Sequence, residues 1–234
     1  RACDARLLYG GLFLLDSSIT HLRLGYCRYL SRLGRRAVAV PMETLPTTSR
    51  IHAEVMSGYT GIRITGVPIC EMTRDEVEEV QHLVSTYCVA VFPEQFAKPA
   101  DHVEFISRFG SITVTPGVDL HPDHENVHIV RNRGQANKPV SGGFHTDTCF
   151  VERPPSYSSL NAVELPDHGG DTVFCNQYLA YESLSDVMKG WLKGLRLKHV
   201  VSGTARPEAV PDPVWHPAVR TNPVTDRKAL YVTY

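Results

Sequence analysis

The chain has 234 residues, 42% of them apolar and 21% charged, with 24 basic against 25 acidic side chains and a formal net charge of −1. That balance excludes the basic footprint of a protein built to sit on nucleic acid phosphates, and the length suits one domain with a sizeable buried core. The longest uncharged apolar run near the start, Leu7 to Leu15, falls well short of the ~20 residues needed to span a bilayer.

From Arg1 to Arg36 seven arginines accompany only two acids, Asp4 and Asp16, and no lysine, a bias similar to that of an organellar transit peptide. The reading adopted instead sets residues 1–45 apart from the domain, as a disordered segment or one that does not belong to it. Met42 is a natural start, and Pro46-Thr47-Thr48-Ser49 reads as a spacer. Residues 46–234 then form the domain. The six cysteines are scattered, with no Cys-x-x-Cys pair, which points to reduced thiols and a cytoplasmic setting.

After the spacer, residues 53–68 mix Val, Ile and Thr with three glycines and read as short strands broken by turns. Thr73 with Glu76 forms a capping box, and Val77, Val80, Leu83 and Val84 then mark one face of a helix. Cys88 to Phe92 is a buried strand stopped by Pro93, and a second helix is expected over Ala100 to Phe109. Beyond residue 110 strands dominate, at Ile112–Thr115, Val127–Asn132, Ser158–Glu164, Thr172–Cys175, Leu197–Val201 and Ala229–Thr233. One more helix is expected between Tyr178 and Leu195, with Leu184, Val187 and Trp191 on one face. Helices first and strands later indicate a mainly-β or α+β sheet architecture, not an alternating βαβ fold.

The richest chemistry lies in Gly142-Gly143-Phe144-His145-Thr146-Asp147-Thr148-Cys149-Phe150. On an extended strand, positions i and i+2 share a face, so His145 and Asp147 can aim a nitrogen and a carboxylate oxygen at one point. Mixed N and O donors suit a divalent first-row metal, and one further histidine would complete the two-histidine, one-carboxylate face of non-haem iron oxygenases. The triplet by itself is a weak signal: His121-Pro122-Asp123 is a second copy, set in a polar loop where a surface role is favoured.

The surrounding sequence makes the pattern specific. Pro154 to Pro166, then His168-Gly169-Gly170-Asp171-Thr172, the Ala180-Tyr181-Glu182-Ser183-Leu184-Ser185 helix start, Gly194-Leu195 to His199, and His216-Pro217-Ala218-Val219-Arg220-Thr221-Asn222-Pro223 together resemble the TauD/TfdA family of iron(II)- and 2-oxoglutarate-dependent dioxygenases. The resemblance implies a double-stranded β-helix, or jelly roll, with iron at one mouth. It makes His145 and Asp147 iron ligands and Thr172 a hydrogen-bonding partner of the 2-oxoglutarate carboxylate. With Fe(II), 2-oxoglutarate and O2, such an enzyme hydroxylates a small organic acid and releases succinate and carbon dioxide. A sulfonate, an aryloxyacetate or a related carboxylate is the expected substrate class. Partners are read as that small molecule and, at most, further copies of the chain, with no nucleic acid or membrane.

The family's distal iron histidine and its 2-oxoglutarate arginine belong to a later block, so the resemblance implies an incomplete barrel whose last third is not in the sequence to Tyr234. His216 and Arg227, 11 positions apart, are a rival placement for that pair. His168, His199 and Arg220 stay unassigned, with His199 read as a satisfied, hydrogen-bonded core histidine. In the taurine-oxidising branch a histidine in the loop after the second helix meets the sulfonate; Thr115 stands there, which argues against taurine. Tyr231 is either a pocket wall or a core ring. The alternative to an enzyme is a catalytically incomplete fragment or a non-enzymatic binding protein.

Overall fold

The computed structural model describes residues 12–16, 20–24, 50–115, 118–130, 143–165, 172–200 and 213–233. Its centre is a five-stranded sheet in the order β3-β4-β5-β1-β8. These strands are β1 (Leu12–Asp16), β3 (His52–Val55), β4 (Ile62–Thr65), β5 (Val89–Phe92) and β8 (Tyr157–Asn161). β3 and β4 pair antiparallel, as do β1 with β5 and with β8, while β4 and β5 run parallel.

A parallel pair needs a crossover, and helix α1 (Arg74–Tyr87) supplies it. One βαβ unit therefore sits inside a fold whose sequence pattern suggested none. The helix starts where the capping box placed it. Thr73 Oγ1 accepts the Glu76 N–H at 3.3 Å, and Glu76 Oε2 accepts the Thr73 N–H at 2.7 Å. Val77, Val80, Leu83 and Val84 are all buried and pack on the sheet with Ile62, Ile64, Ala90 and Phe92.

Strand β5 is buried at all four positions because the sheet is covered on both sides. Period-two alternation sends Ala90 and Phe92 into the cluster under α1, and Val89 and Val91 into a second cluster with Tyr178 and Ala229. Helix α2 (Pro99–Ser107) closes the first cluster through Phe105. Phe105 packs edge-on against Phe92 at 5.6 Å and Phe109 at 5.2 Å, and Phe109 meets Tyr157 at 5.5 Å.

The other strands form two-stranded ladders. β2 (Thr20–Leu24) pairs with β9 (Thr172–Asn176), β6 (Leu120–His121) with β7 (His124–His128), β10 (Arg196–His199) with β11 (Val214–Pro217), and β12 (Val219–Thr221) with β13 (Lys228–Leu230). The architecture is mainly β with flanking helices, and no closed barrel is present among the described residues. None of the described helices is long and apolar enough to cross a membrane.

Three details differ from the sequence reading. Strands β1 and β2 lie inside the stretch set apart as residues 1–45. Leu12 and Leu14, on one face of β1, have no exposed surface, so the apolar run there serves as a strand between β5 and β8. Ile112–Thr115 forms no strand, and the Thr115 hydroxyl bonds a distant side chain instead. The single helix expected over 178–195 divides into α3 (Gln177–Glu182) and α4 (Asp186–Leu192). Ser185 accepts the Met188 N–H and caps a new start, which leaves Val187 and Trp191 exposed at 65% and 69% rather than facing a core.

Glu76 also tests the α1 start. Its carboxylate takes Arg50 Nε at 2.8 Å and Nη2 at 3.0 Å beside the capping bonds. The Arg50 hydrogen bonds hold its pKa down to about 2 from the ordinary 4.5. A depressed carboxylate pKa stabilises the fold above the unfolded value, and that contribution fades as pH falls through 4.5 toward 2. Glu76→Gln is expected to cost about 2 kcal/mol at pH 7 and to show less acid sensitivity than wild type. Urea unfolding at pH 7 and pH 3 measures both, and equal acid sensitivity would remove Glu76 from the account.

Candidate metal centre

His145 and Asp147 meet where an extended segment becomes a turn. His145 forms an isolated bridge, and residues 147–150 turn immediately after it. The pair is therefore not carried by a continuous strand, yet the two side chains converge, with His145 Nε2 lying 3.3 Å from Asp147 Oδ1. Both are about one-third exposed, at 29% and 33%, so the point between them is reachable from outside.

The imidazole is oriented by its other nitrogen. His145 Nδ1 lies 3.1 Å from the Gly143 carbonyl, and since a carbonyl only accepts, Nδ1 carries the proton. In the neutral ring Nε2 then presents its lone pair to the point that Asp147 shares. That is the outer hydrogen bond by which metal-binding histidines are usually held.

Without a cation, the two groups pair with each other when the ring takes up a second proton at Nε2 and donates it to Asp147 Oδ1. The hydrogen bond to Asp147 raises the His145 pKa against the opposing effect of burial. For Asp147 burial acts upward, but the hydrogen bond and charge of His145, a hydrogen bond from Ser158 on β8 and the charge of His128 outweigh it, and its pKa lies below the ordinary value. An anionic carboxylate held beside an imidazole is a chemically suitable donor pair for a divalent metal.

Sequence reasoning did not find the residues that hold this turn. Thr233 Oγ1 accepts the Thr146 N–H at 3.4 Å, Thr115 and Thr148 share a hydroxyl–hydroxyl bond of 2.7 Å, and His216 Nε2 donates to the Val151 carbonyl at 2.9 Å. All are contacts across 33 to 87 residues of chain, and no local motif signals them.

Thr172 stands at the first position of β9, half-buried and in register with Leu24. It sits on a separate element from the His145–Asp147 turn. His168, Gly169, Gly170 and Asp171 lie outside the described residues. The second triplet serves its own turn: the Asp123 N–H donates to His121 Nδ1 at 3.1 Å, between β6 and β7.

The rival placement of a distal histidine and arginine finds both residues committed elsewhere. His216 is buried and bonded to Val151, and Arg227 pairs with Glu182 at 2.6 Å and lies over the Tyr178 ring at 4.2 Å. His199, 3% exposed, packs against the His216 and Tyr231 rings, but neither ring nitrogen has a hydrogen-bond partner among the described residues, so it is buried in the core without being the satisfied histidine expected; burial lowers its pKa. Tyr231 is a core ring, 1% exposed, with Arg220 over its face at 4.6 Å. Among the described residues no group of three or more His, Cys, Asp or Glu could hold a metal ion. The donor set thus fits two corners of a metal site.

Residues 46–234 match the family model of the taurine catabolism dioxygenase TauD, TfdA family. The chain belongs to the TauD/TfdA family. It is similar to the alpha-ketoglutarate-dependent sulfonate dioxygenase of Saccharomyces cerevisiae, at 32% identity over 74% of this chain and 46% of that protein. It is also similar to the alpha-ketoglutarate-dependent 2,4-dichlorophenoxyacetate dioxygenase of Cupriavidus pinatubonensis, at 28% identity over 67% of this chain and 64% of the relative. Among solved structures, AAD-2 in complex with Mn(II) and N-oxalylglycine superposes with a TM-score of 0.57 at 19% identity, covering 79% of this chain and 73% of that one. That likeness shows the fold. The chain spans about half to two-thirds of the length of the curated relatives it matches.

Proposed function

We propose that this chain carries the His-x-Asp half of the iron centre of a cytoplasmic 2-oxoglutarate-dependent dioxygenase. Its substrate is a small organic acid of the sulfonate, aryloxyacetate or related carboxylate class, and succinate and carbon dioxide are released. The carrying observation is the convergence of His145 Nε2 and Asp147 Oδ1 at 3.3 Å, with Nδ1 tied to Gly143. Support for the cosubstrate comes from the family match and from the solved neighbour holding N-oxalylglycine, an analogue of 2-oxoglutarate.

Bound Fe(II) would supply the redox chemistry with O2 and 2-oxoglutarate that a side chain cannot. The protein's own part is orientation. Gly143 holds the imidazole tautomer, His145 and Asp147 present one nitrogen and one oxygen donor, and Thr172 offers a hydroxyl to the cosubstrate carboxylate. The turn that carries His145 and Asp147 is anchored by Thr233, Thr115 and His216.

Anaerobic addition of Fe(II) and 2-oxoglutarate to the full-length protein is expected to produce a weak visible charge-transfer band, and wild type without that band sinks the proposal. Thr172→Val is expected to raise the 2-oxoglutarate concentration needed for half the band about tenfold while leaving Fe(II) affinity alone, since it deletes one hydrogen bond to a charged group. Succinate formation above a metal-only control separates an active enzyme from an inert binding protein.

A further inference from the structure

The backbone at the candidate metal pair is unusual at one residue. Thr148, directly after Asp147, has φ of 49°, a left-handed conformation that a β-branched side chain rarely adopts. Its side chain is only 6% exposed. A conformation of this kind persists only where the surroundings over-determine it.

The surroundings are visible. Thr148 bonds the hydroxyl of Thr115 at 2.7 Å, a residue of the irregular segment after α2 that lies 33 positions earlier in the chain. The Val151 N–H closes the turn on the Thr148 carbonyl at 3.4 Å. On the other side of Asp147, the Thr146 N–H is held by Thr233 at 3.4 Å. Asp147 therefore lies between two tethered neighbours, which set its backbone, while the contacts with His145 and Ser158 act on its carboxylate. The Thr146 tether is long for an N–H···O bond, whereas the Thr115–Thr148 bond is short. If Thr148 relaxed to negative φ, the peptide joining it to Asp147 would turn relative to the tethered Thr148 side chain, and Asp147 would lose that constraint on its direction.

We infer that Thr115 is a positioning residue of the metal centre: its hydroxyl holds Thr148 in the left-handed conformation and so aims Asp147 at the point that His145 faces. This inference rests on the reading of His145 and Asp147 as metal ligands. It assigns the segment after α2 a role in metal affinity that no direct contact with the metal would reveal.

The test is Mn(II) binding to the full-length protein that carries this sequence, followed by titration calorimetry, with thermal unfolding of each metal-free variant as a control. Thr115→Val, isosteric but without the hydroxyl, is expected to weaken Mn(II) binding about tenfold, the lower end of the effect of removing an outer hydrogen-bonding partner. Thr115→Ser should remain within about twofold, because it keeps the hydroxyl. At the partner position, Thr148→Val should lose about as much as Thr115→Val. Thr148→Gly, which adopts positive φ without penalty, should retain most of the affinity although it lacks the hydroxyl.

That contrast keeps the inference open to refutation even if Thr115→Val does not fold. Thr115→Val binding Mn(II) like wild type, or Thr148→Gly losing as much as Thr148→Val, overturns it while leaving the ligand reading intact. Wild type without saturable Mn(II) binding, or Asp147→Ala binding as tightly as wild type, overturns both together.

Discussion

Asp147→Ala is expected to weaken Fe(II) binding by roughly a hundredfold or more, beyond the 10–100-fold typical of losing an outer-shell partner, and to abolish the charge-transfer band with 2-oxoglutarate. Among the described residues the Asp147 carboxylate lies 3.3 Å from His145 Nε2, and its pKa lies below the ordinary value, so it is already ionised at neutral pH. The same substitution should barely disturb the metal-free fold. Both members of the pair are about one-third exposed, and partly exposed ion pairs contribute about 1 kcal/mol or less. Calorimetric Fe(II) titration under anaerobic conditions, with urea unfolding of the apoprotein alongside, separates the two effects. A variant that binds iron as well as wild type removes Asp147 from the site, and one that unfolds marks it as structural.

Phe105→Ala should do the reverse, costing about 3–5 kcal/mol of stability with no direct effect on the metal donors. Phe105 is 1% exposed and sits between Phe92 of β5 and Phe109, whose ring touches Tyr157 of β8. Deleting it leaves a cavity where helix α2 meets the sheet and removes two edge-on aromatic contacts, each worth about 0.5–1.5 kcal/mol beyond area burial. Against a typical total stability of about 5–15 kcal/mol, that is a large fraction. Urea unfolding by far-ultraviolet circular dichroism reads it. A cost near that of a surface substitution would mean that α2 is not held through this ring.

Helix α1, strand β5 and the convergence of the His145 and Asp147 side chains were readable from sequence for local reasons. A capping box is four consecutive residues, a buried strand is a short β-branched run before a proline, and two donors spaced i and i+2 need only an extended backbone to share a face. What went unread depended on distant partners. The Leu12–Asp16 strand looked like a stray apolar run because its value comes from pairing with Phe92 and Asn161. Val187 and Trp191 looked like a core stripe because periodicity reports spacing, not which surface another element covers.

By itself, then, the sequence determined the His-x-Asp spacing, the caps, the strand and helix periods, and the motif order that places the chain in its family. Tertiary structure alone decided that the two donors meet across a turn instead of along a strand. It also decided that Thr115, Thr233 and His216 hold that turn, and that His216 and Arg227 are committed to other contacts. The physical reason is range. Backbone propensity and side-chain period act over a few residues, whereas the hydrogen bonds that hold this turn span dozens and exist only once the fold has brought their ends together.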